Sequence, residues 1–216
     1  MINENMEFWQ SVKKTDPKRV KPITGKSYQG NSPQPYYLVE RMTEQFGMCG
    51  IGWGINIISE RMERLTETDV LHIAVIELWY IHCDKRGSIS QIGQTKACYL
   101  TNANKMMIDE DAPKKSVTDA MTKCMSYLGF AGDIFSGLWD DSKYINELKQ
   151  DFNQQHTKEL IDKATHSLLA AGTIDDLRIN YTAAVEMFGA TDEIIAAKNK
   201  RRTELTPTPT PAEKES

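Results

Sequence analysis

The stretch KKSVTDAMTKCMSYLGFAGDIFSGLWDD, residues 114–141, limits the possible folds more than any other part of the chain. Ser116 reads as a helix N-cap with Asp119 three residues on, and Gly129 closes the run as a C-cap. Between them Val117, Ala120, Met121, Cys124, Met125 and Leu128 recur at helical spacing, so one face can bury against a sheet. Thr118, Asp119, Thr122, Lys123 and Ser126 stay on the other face, which leaves Lys123 available to a ligand.

The strands for that sheet lie upstream. In GIGWGINII, residues 50–58, Ile51, Trp53, Ile55 and Ile57 alternate with Gly52, Gly54 and Asn56, the pattern of a strand with one bulky face and one closely approached face. Residues 70–83 are apolar on both sides of the alternation, which predicts a central strand covered on both faces. Asp84, Lys85, Arg86 and Gly87 read as a hairpin turn into a third strand, residues 88–100. The fold class is therefore α+β: an antiparallel sheet of three or slightly more strands crossed by a helix, with a small C-terminal helical domain.

Residues 1–35 are polar and broken by Pro17, Pro22, Gly25, Gly30, Pro33 and Pro35, so they read as an extended basic arm with one short helix near residues 6–13. The core spans residues 36–152. It opens with a helix carrying Leu38, Val39, Met42 and Phe46 on one side, stopped at Gly47, and closes with a short helix at 144–152. Residues 153–203 form the small helical domain, with helices at 157–171, at 173–188 behind the capping pair Thr173 and Asp176, and at 191–202. Residues 204–216, with their alternating threonine and proline, are expected to be disordered.

The formal net charge of −4 over 216 residues argues against binding nucleic acid through sheer excess of positive charge. The placement of charge tells more: Lys13, Lys14, Lys18, Arg19, Lys21 and Lys26 make the first stretch basic, while acids gather at residues 109–111 and in the C-terminal third. Cys49, Cys83, Cys98 and Cys124 show no zinc-like pairing and no signal-peptide pattern precedes them, so free thiols in a reducing cytoplasm are expected. The longest apolar stretch, near residues 70–81, is interrupted by His72 and Glu77 and is too short to span a bilayer.

Most motifs of enzyme chemistry fail on spacing. Gly25-Lys26-Ser27 resembles the end of a phosphate-binding loop, yet Val20 stands where the first glycine belongs and no helix can follow, so Lys26 is better read as a phosphate contact on the arm. The glycines of residues 47–54 precede a strand, which removes the helix N-terminus a dinucleotide needs. His82, Cys83 and Cys98 lack a fourth metal ligand, and alternation sends the first two to opposite faces. Asp133, Asp140 and Asp141 are the nearest approach to a nuclease carboxylate set, with turn and cap duty the favoured role. No catalytic residue, metal or cofactor is expected. What remains is a set of basic residues with an aromatic neighbour: Lys85, Arg86, Lys96, Tyr99, Lys105, Lys114, Lys115 and Lys123, where amines can meet phosphates and a ring can stack on a base. For Lys123 the alternative is an i,i+4 ion pair with Asp119.

TDAMTKCMSYLG followed by GDIF resembles the helix signature of the single-strand annealing recombinases, of the phage Erf type and, more distantly, the eukaryotic Rad-fifty-two annealing protein. YLVERMTEQFGMCGIGWGINI is similar to the entry helix, FG corner and GW strand of the same superfamily, and Thr15-Asp16-Pro17 to the N-terminal segment of its phage members. The matches follow the family's order over about residues 8–145. The resemblance implies a ring or helical homo-oligomer that holds single-stranded DNA along a continuous groove and anneals complementary strands without ATP. It places basic contacts at Lys105, Lys114 and Lys123; where the family often has two adjacent basic residues, this chain has Thr122-Lys123. The implied setting is phage recombination in the cytoplasm of a bacterial host, from a phage or prophage gene, with single-strand-binding protein and an exonuclease as partners. The other reading is an oligomeric scaffold of phage replication that touches DNA weakly or not at all.

Overall fold

The computed structural model describes residues 4–24 and 30–206. The chain divides into two compact units, Met1–Leu148 and Lys149–Ser216.

In the first unit, helix α1 (Glu4–Val12) leads to a two-stranded antiparallel sheet of β1 (Val20–Pro22) and β2 (Asn31–Pro33), then to helix α2 (Pro35–Phe46). Strands β3 (Trp53–Arg64), β4 (Val70–His82), β5 (Lys85–Leu100) and the short β6 (Met106–Ile108) form a four-stranded antiparallel sheet in chain order. The β4–β5 turn is tighter than the sequence pattern predicts. Only Cys83 and Asp84 lie between the strands, both at positive φ (48° and 60°), the backbone that matches the twist of a two-residue hairpin. Lys85, Arg86 and Gly87 are therefore strand residues, with Gly87 opposite Tyr80.

Helix α3 (Ala112–Tyr127) crosses β4 and β5. It begins upstream of the expected cap, because Pro113 presets helical φ in the first turn and Asp111 takes the cap position. Ser116 is buried inside the helix instead, and its hydroxyl donates to the carbonyls of Ala112 (2.9 Å) and His72 (3.1 Å). The second bond ties α3 to β4. At the far end Gly129 adopts φ +100°, and a Cβ there would also meet the Trp9 ring at 2.9 Å.

The core joins Leu38 and Met42 of α2, Trp53, Ile76 and Leu78 of the sheet, Ala120, Cys124 and Met125 of α3, and Phe130. Val12 of α1 belongs to the same core, and Phe8 packs on the rings of Phe46 and Phe130. The short helix expected near residues 6–13 is present as α1, but the segment is not an extended arm: the apolar residues of α1 seal the aromatic cluster, and Val12 and Thr15 are buried. A second correction concerns β4. It is central, but its buried side is chiefly that of His72, Ala74, Ile76 and Leu78, on which α3 lies; on the opposite face Ile73 is buried, whereas Ile81 and, from β5, Ile92 are exposed.

After α4 (Gly132–Phe135) and a 3-10 turn at Leu138–Asp140 comes α5 (Ser142–Leu169), one helix where two were expected. Nothing in residues 153–156 breaks it, and the hydroxyl of Thr157, where the second helix was expected to start, bonds back to the Asn153 carbonyl at 2.9 Å as it does inside a helix. In the second unit α6 (Ile174–Phe188) starts as expected, the Thr173 hydroxyl accepting from the Asp176 N–H at 3.0 Å. Helix α7 (Asp192–Leu205) is capped by Thr191 and continues past residue 202, so residues 204 and 205 of the expected tail are helical; residues 207–216 lie outside the described part. Leu168, Leu177, Ala184, Ile194 and Ala197 form the core of this unit. Among the described residues no helix is long and apolar enough to cross a membrane.

Candidate nucleic-acid interface

The polar side of α3 collects three of the expected cations. Lys114 and Lys115 line a cleft of about 460 Å³ together with Ser32, Pro35, Thr118 and Thr122. Lys123 lies one turn beyond Asp119, which shares that cleft, and its ammonium reaches the Ile92 carbonyl of β5 at 3.4 Å. Proline at the start of the helix and the apolar stripe beneath it fix this orientation, since burying Ala120, Cys124 and Met125 turns the lysines outward.

Each of the three has a carboxylate partner. Lys114 bonds Asp111 at 3.0 Å, Lys115 bonds Asp109 at 2.6 Å, and Lys123 bonds Asp119 at 3.1 Å. The Lys114 bond holds the Asp111 carboxyl below its ordinary range, and the bond to Asp109 raises the Lys115 ammonium, with Asp111 and Tyr99 adding to it. The i,i+4 pair expected as the alternative role of Lys123 is thus present. The Lys114 and Lys123 pairs are exposed, hold their members weakly and are screened by salt, whereas Asp109 is mostly buried and holds Lys115 more firmly.

Lys96 donates to Asp69 at 2.8 Å and lies 5.8 Å from the centre of the Tyr99 ring, near the end of β5. Lys105 is exposed in the following turn, where its carbonyl accepts from the Thr101 N–H at 2.9 Å. Lys85 and Arg86 do not join this group. They stand at the opposite end of the 16-residue β5, a separation of up to about 45 Å at strand rise. Arg86 is engaged there by Glu77 at 3.1 Å and lies 5.7 Å from the centre of the Trp79 ring. Lys26 lies outside the described residues.

The acidic residues considered for metal chemistry are dispersed. Asp133 is 1% exposed and accepts from the Thr15 N–H (3.0 Å), the Thr15 hydroxyl (2.6 Å), the Trp139 indole N–H (3.0 Å) and the Tyr144 hydroxyl (3.0 Å). Asp141 caps the start of α5 through the Lys143 N–H at 2.8 Å. His82 packs on the rings of Phe8 and Phe46, whereas Cys98 faces the Met106 sulfur at 3.3 Å. Among the described residues no group of three or more His, Cys, Asp or Glu side chains is placed to hold a metal ion.

No protein-family model matches the chain, and no curated protein sequence matches it. The placement of these side chains and the motif resemblance carry the functional reading. Two features escaped the residue-by-residue sequence reading. The hub at Asp133 joins the Thr15 and GDIF motifs, and Trp79 faces Gly54 across the sheet. The second was legible in principle, because small residues at Gly54 and Ser88 flank the only large ring on that row.

Proposed function

We propose that the protein binds single-stranded DNA and anneals complementary strands without ATP, by physical means and with no covalent step. The observation that supports it best is the exposure of Lys114, Lys115 and Lys123 across the polar side of α3, two of them in a cleft lined also by Thr118, Thr122, Asp111 and Asp119. Phosphates compete with the carboxylates for these lysines, and base edges are left unread, as annealing of any sequence requires. Tyr99, which acts on Lys115, and the exposed Lys105 lie toward the end of β5, whereas Lys96 stands on the face of the sheet opposite α3.

Assembly of several copies forms part of the proposal. Ile57, Ile58 and Met62 are exposed on the edge strand β3, and Met106, Met107 and Ile108 on the opposite edge strand β6. Two different apolar edges on one sheet favour a head-to-tail association, which yields rings or filaments. Phage recombination in a bacterial cytoplasm, beside single-strand-binding protein and an exonuclease, is the setting that the motif resemblance adds.

The acidic net charge and the carboxylate partner of every α3 lysine favour the scaffold reading instead. Salt titration of oligo(dT) binding separates the two. A polyanion groove gives log K falling linearly with log salt, and Lys123→Ala lowers the slope by about 0.7, the share of one phosphate on a single strand. Binding that is absent, or flat with salt, contradicts the DNA reading and favours the scaffold.

A further inference from the structure

The sheet has a second face, opposite α3, and register defines it residue by residue. Gly54, Trp79 and Ser88 form one row across β3, β4 and β5; Asn56, Glu77 and Ser90 form the next, followed by Ser59, Val75 and Ile92. The α3 side is fixed independently: a Cβ on Gly93, which pairs with Ala74, would meet the Ser116 carbonyl oxygen at 1.9 Å. Trp79 therefore points away from the helix. Its ring lies against β3, with three indole atoms within 3.0 Å of the position a Gly54 Cβ would take. Arg86 stands beside the ring at 5.7 Å, held by Glu77, which Asn56 also fixes at 3.0 Å. Those bonds, Asn56 first and Arg86 second, keep the Glu77 carboxyl below its ordinary range. Further along the same face Ile92 is 54% exposed, and Lys96 ends the row of β5 side chains beside the Tyr99 ring.

Resting on the single-stranded DNA reading, we propose that this open face is a base-stacking floor, with Trp79 as the principal stacking residue and Arg86 and Lys96 as phosphate contacts at its two ends. The composition favours a nucleic-acid strand over a second protein copy. A flat indole is laid over backbone with a guanidinium beside it, the Glu77 carboxylate is answered by Arg86 and Asn56, and neutral hydroxyls stand in the neighbouring rows. With one cation at each end, about 33 Å apart along β5, this suits an extended strand of several nucleotides whose bases lie along the floor and whose phosphates reach its ends. The Gly54 side of the ring is closed by β3 itself, and the small Ser88 on the other side leaves room for a base there.

The test is oligo(dT) binding by the full chain, with Trp79→Leu and Trp79→Phe compared with Lys123→Ala, each checked for oligomeric state by light scattering. Losing a stacked base weakens binding by about 5- to 100-fold in Trp79→Leu, less in Trp79→Phe, with the salt slope unchanged because no charge is removed. Lys123→Ala changes the slope instead. Tryptophan quenching supplies a second readout: Trp53 and Trp139 are buried, and the other partly exposed tryptophan, Trp9, packs on Gly129 and Gly132 away from this face, so the quench that Trp79→Phe removes is the part due to DNA on the floor. Affinity within twofold of wild type in both variants overturns the stacking floor while the DNA reading stands. An altered oligomeric state with unchanged DNA affinity overturns it in favour of an interface between copies. Wild-type protein that binds no single-stranded DNA overturns both.

Discussion

Replacing Gly93 by valine destabilises the α+β unit by about 3 kcal/mol or more, at or above the usual range for overpacking, because the obstruction is backbone and not a side chain that can turn aside. A Cβ at Gly93 would lie 1.9 Å from the Ser116 carbonyl oxygen and 2.6 Å from the Ala120 nitrogen. Helix α3 would have to lift from β5, and two consequences follow. The buried Ser116 hydroxyl loses the His72 carbonyl, and the Ala120–Cys124–Met125 stripe leaves the sheet. All four tryptophans, Trp9, Trp53, Trp79 and Trp139, belong to this unit, so tryptophan fluorescence in a urea titration reports its unfolding without contribution from the helical unit. The expected result is a midpoint far below wild type, with Gly93→Ala also destabilised. A Gly93→Val midpoint equal to wild type contradicts the close approach of helix and sheet.

Asp133→Ala is the second large loss, on the order of 3 to 5 kcal/mol, in line with stranding buried donors that answered one carboxylate. The Thr15 N–H and hydroxyl, the Trp139 indole and the Tyr144 hydroxyl all converge on it, and the Asp133 N–H donates to the Lys13 carbonyl at 3.1 Å. The carboxylate thereby staples the segment after α1 to the turns that follow α3 and to the first turn of α5. Asp133→Asn keeps the volume but presents an NH₂ to donors, so it recovers little. The same urea titration measures both variants, and faster proteolysis after Lys13 or Lys14 reports the loosened segment. A cost below about 1 kcal/mol for Asp133→Ala contradicts the hub, since a single ordinary hydrogen bond is worth that much.

These two residues mark where local pattern stops being informative. The sheet strands and α3 were legible because period-two and period-3.6 apolar patterns record burial directly: Ile76 and Leu78 are buried on one face, and Ala120, Cys124 and Met125 face them. Thr173 was legible as a cap because its function is local. Ser116 misled because a serine three residues before an acid looks like a cap wherever it stands, while Pro113 starts the helix earlier. Thr15 and Asp133 lie 118 positions apart, and no spacing rule connects them. The segment before β1 accordingly read as an arm, although α1 supplies part of the core. On the candidate interface, Lys123 was legible by its spacing on the polar face of α3, whereas Lys114 and Lys115 lay before the expected cap and fall in the helix because it starts at Ala112. The separation of Lys85 and Arg86 from Lys105 was not, because it depends on the full length of β5. Trp79 is not legible as a surface residue from the sequence, since apolar residues on both sides of a strand look alike there.

The central claim is annealing, and the most direct measurement is the rate at which two complementary fluorescent oligonucleotides pair at low salt, without ATP or added metal. The wild-type protein is expected to accelerate pairing well above the spontaneous rate. The triple variant Lys114→Ala, Lys115→Ala, Lys123→Ala is expected to lose most of that acceleration with its urea midpoint and oligomeric state unchanged. No acceleration by folded, assembled wild-type protein would contradict the account.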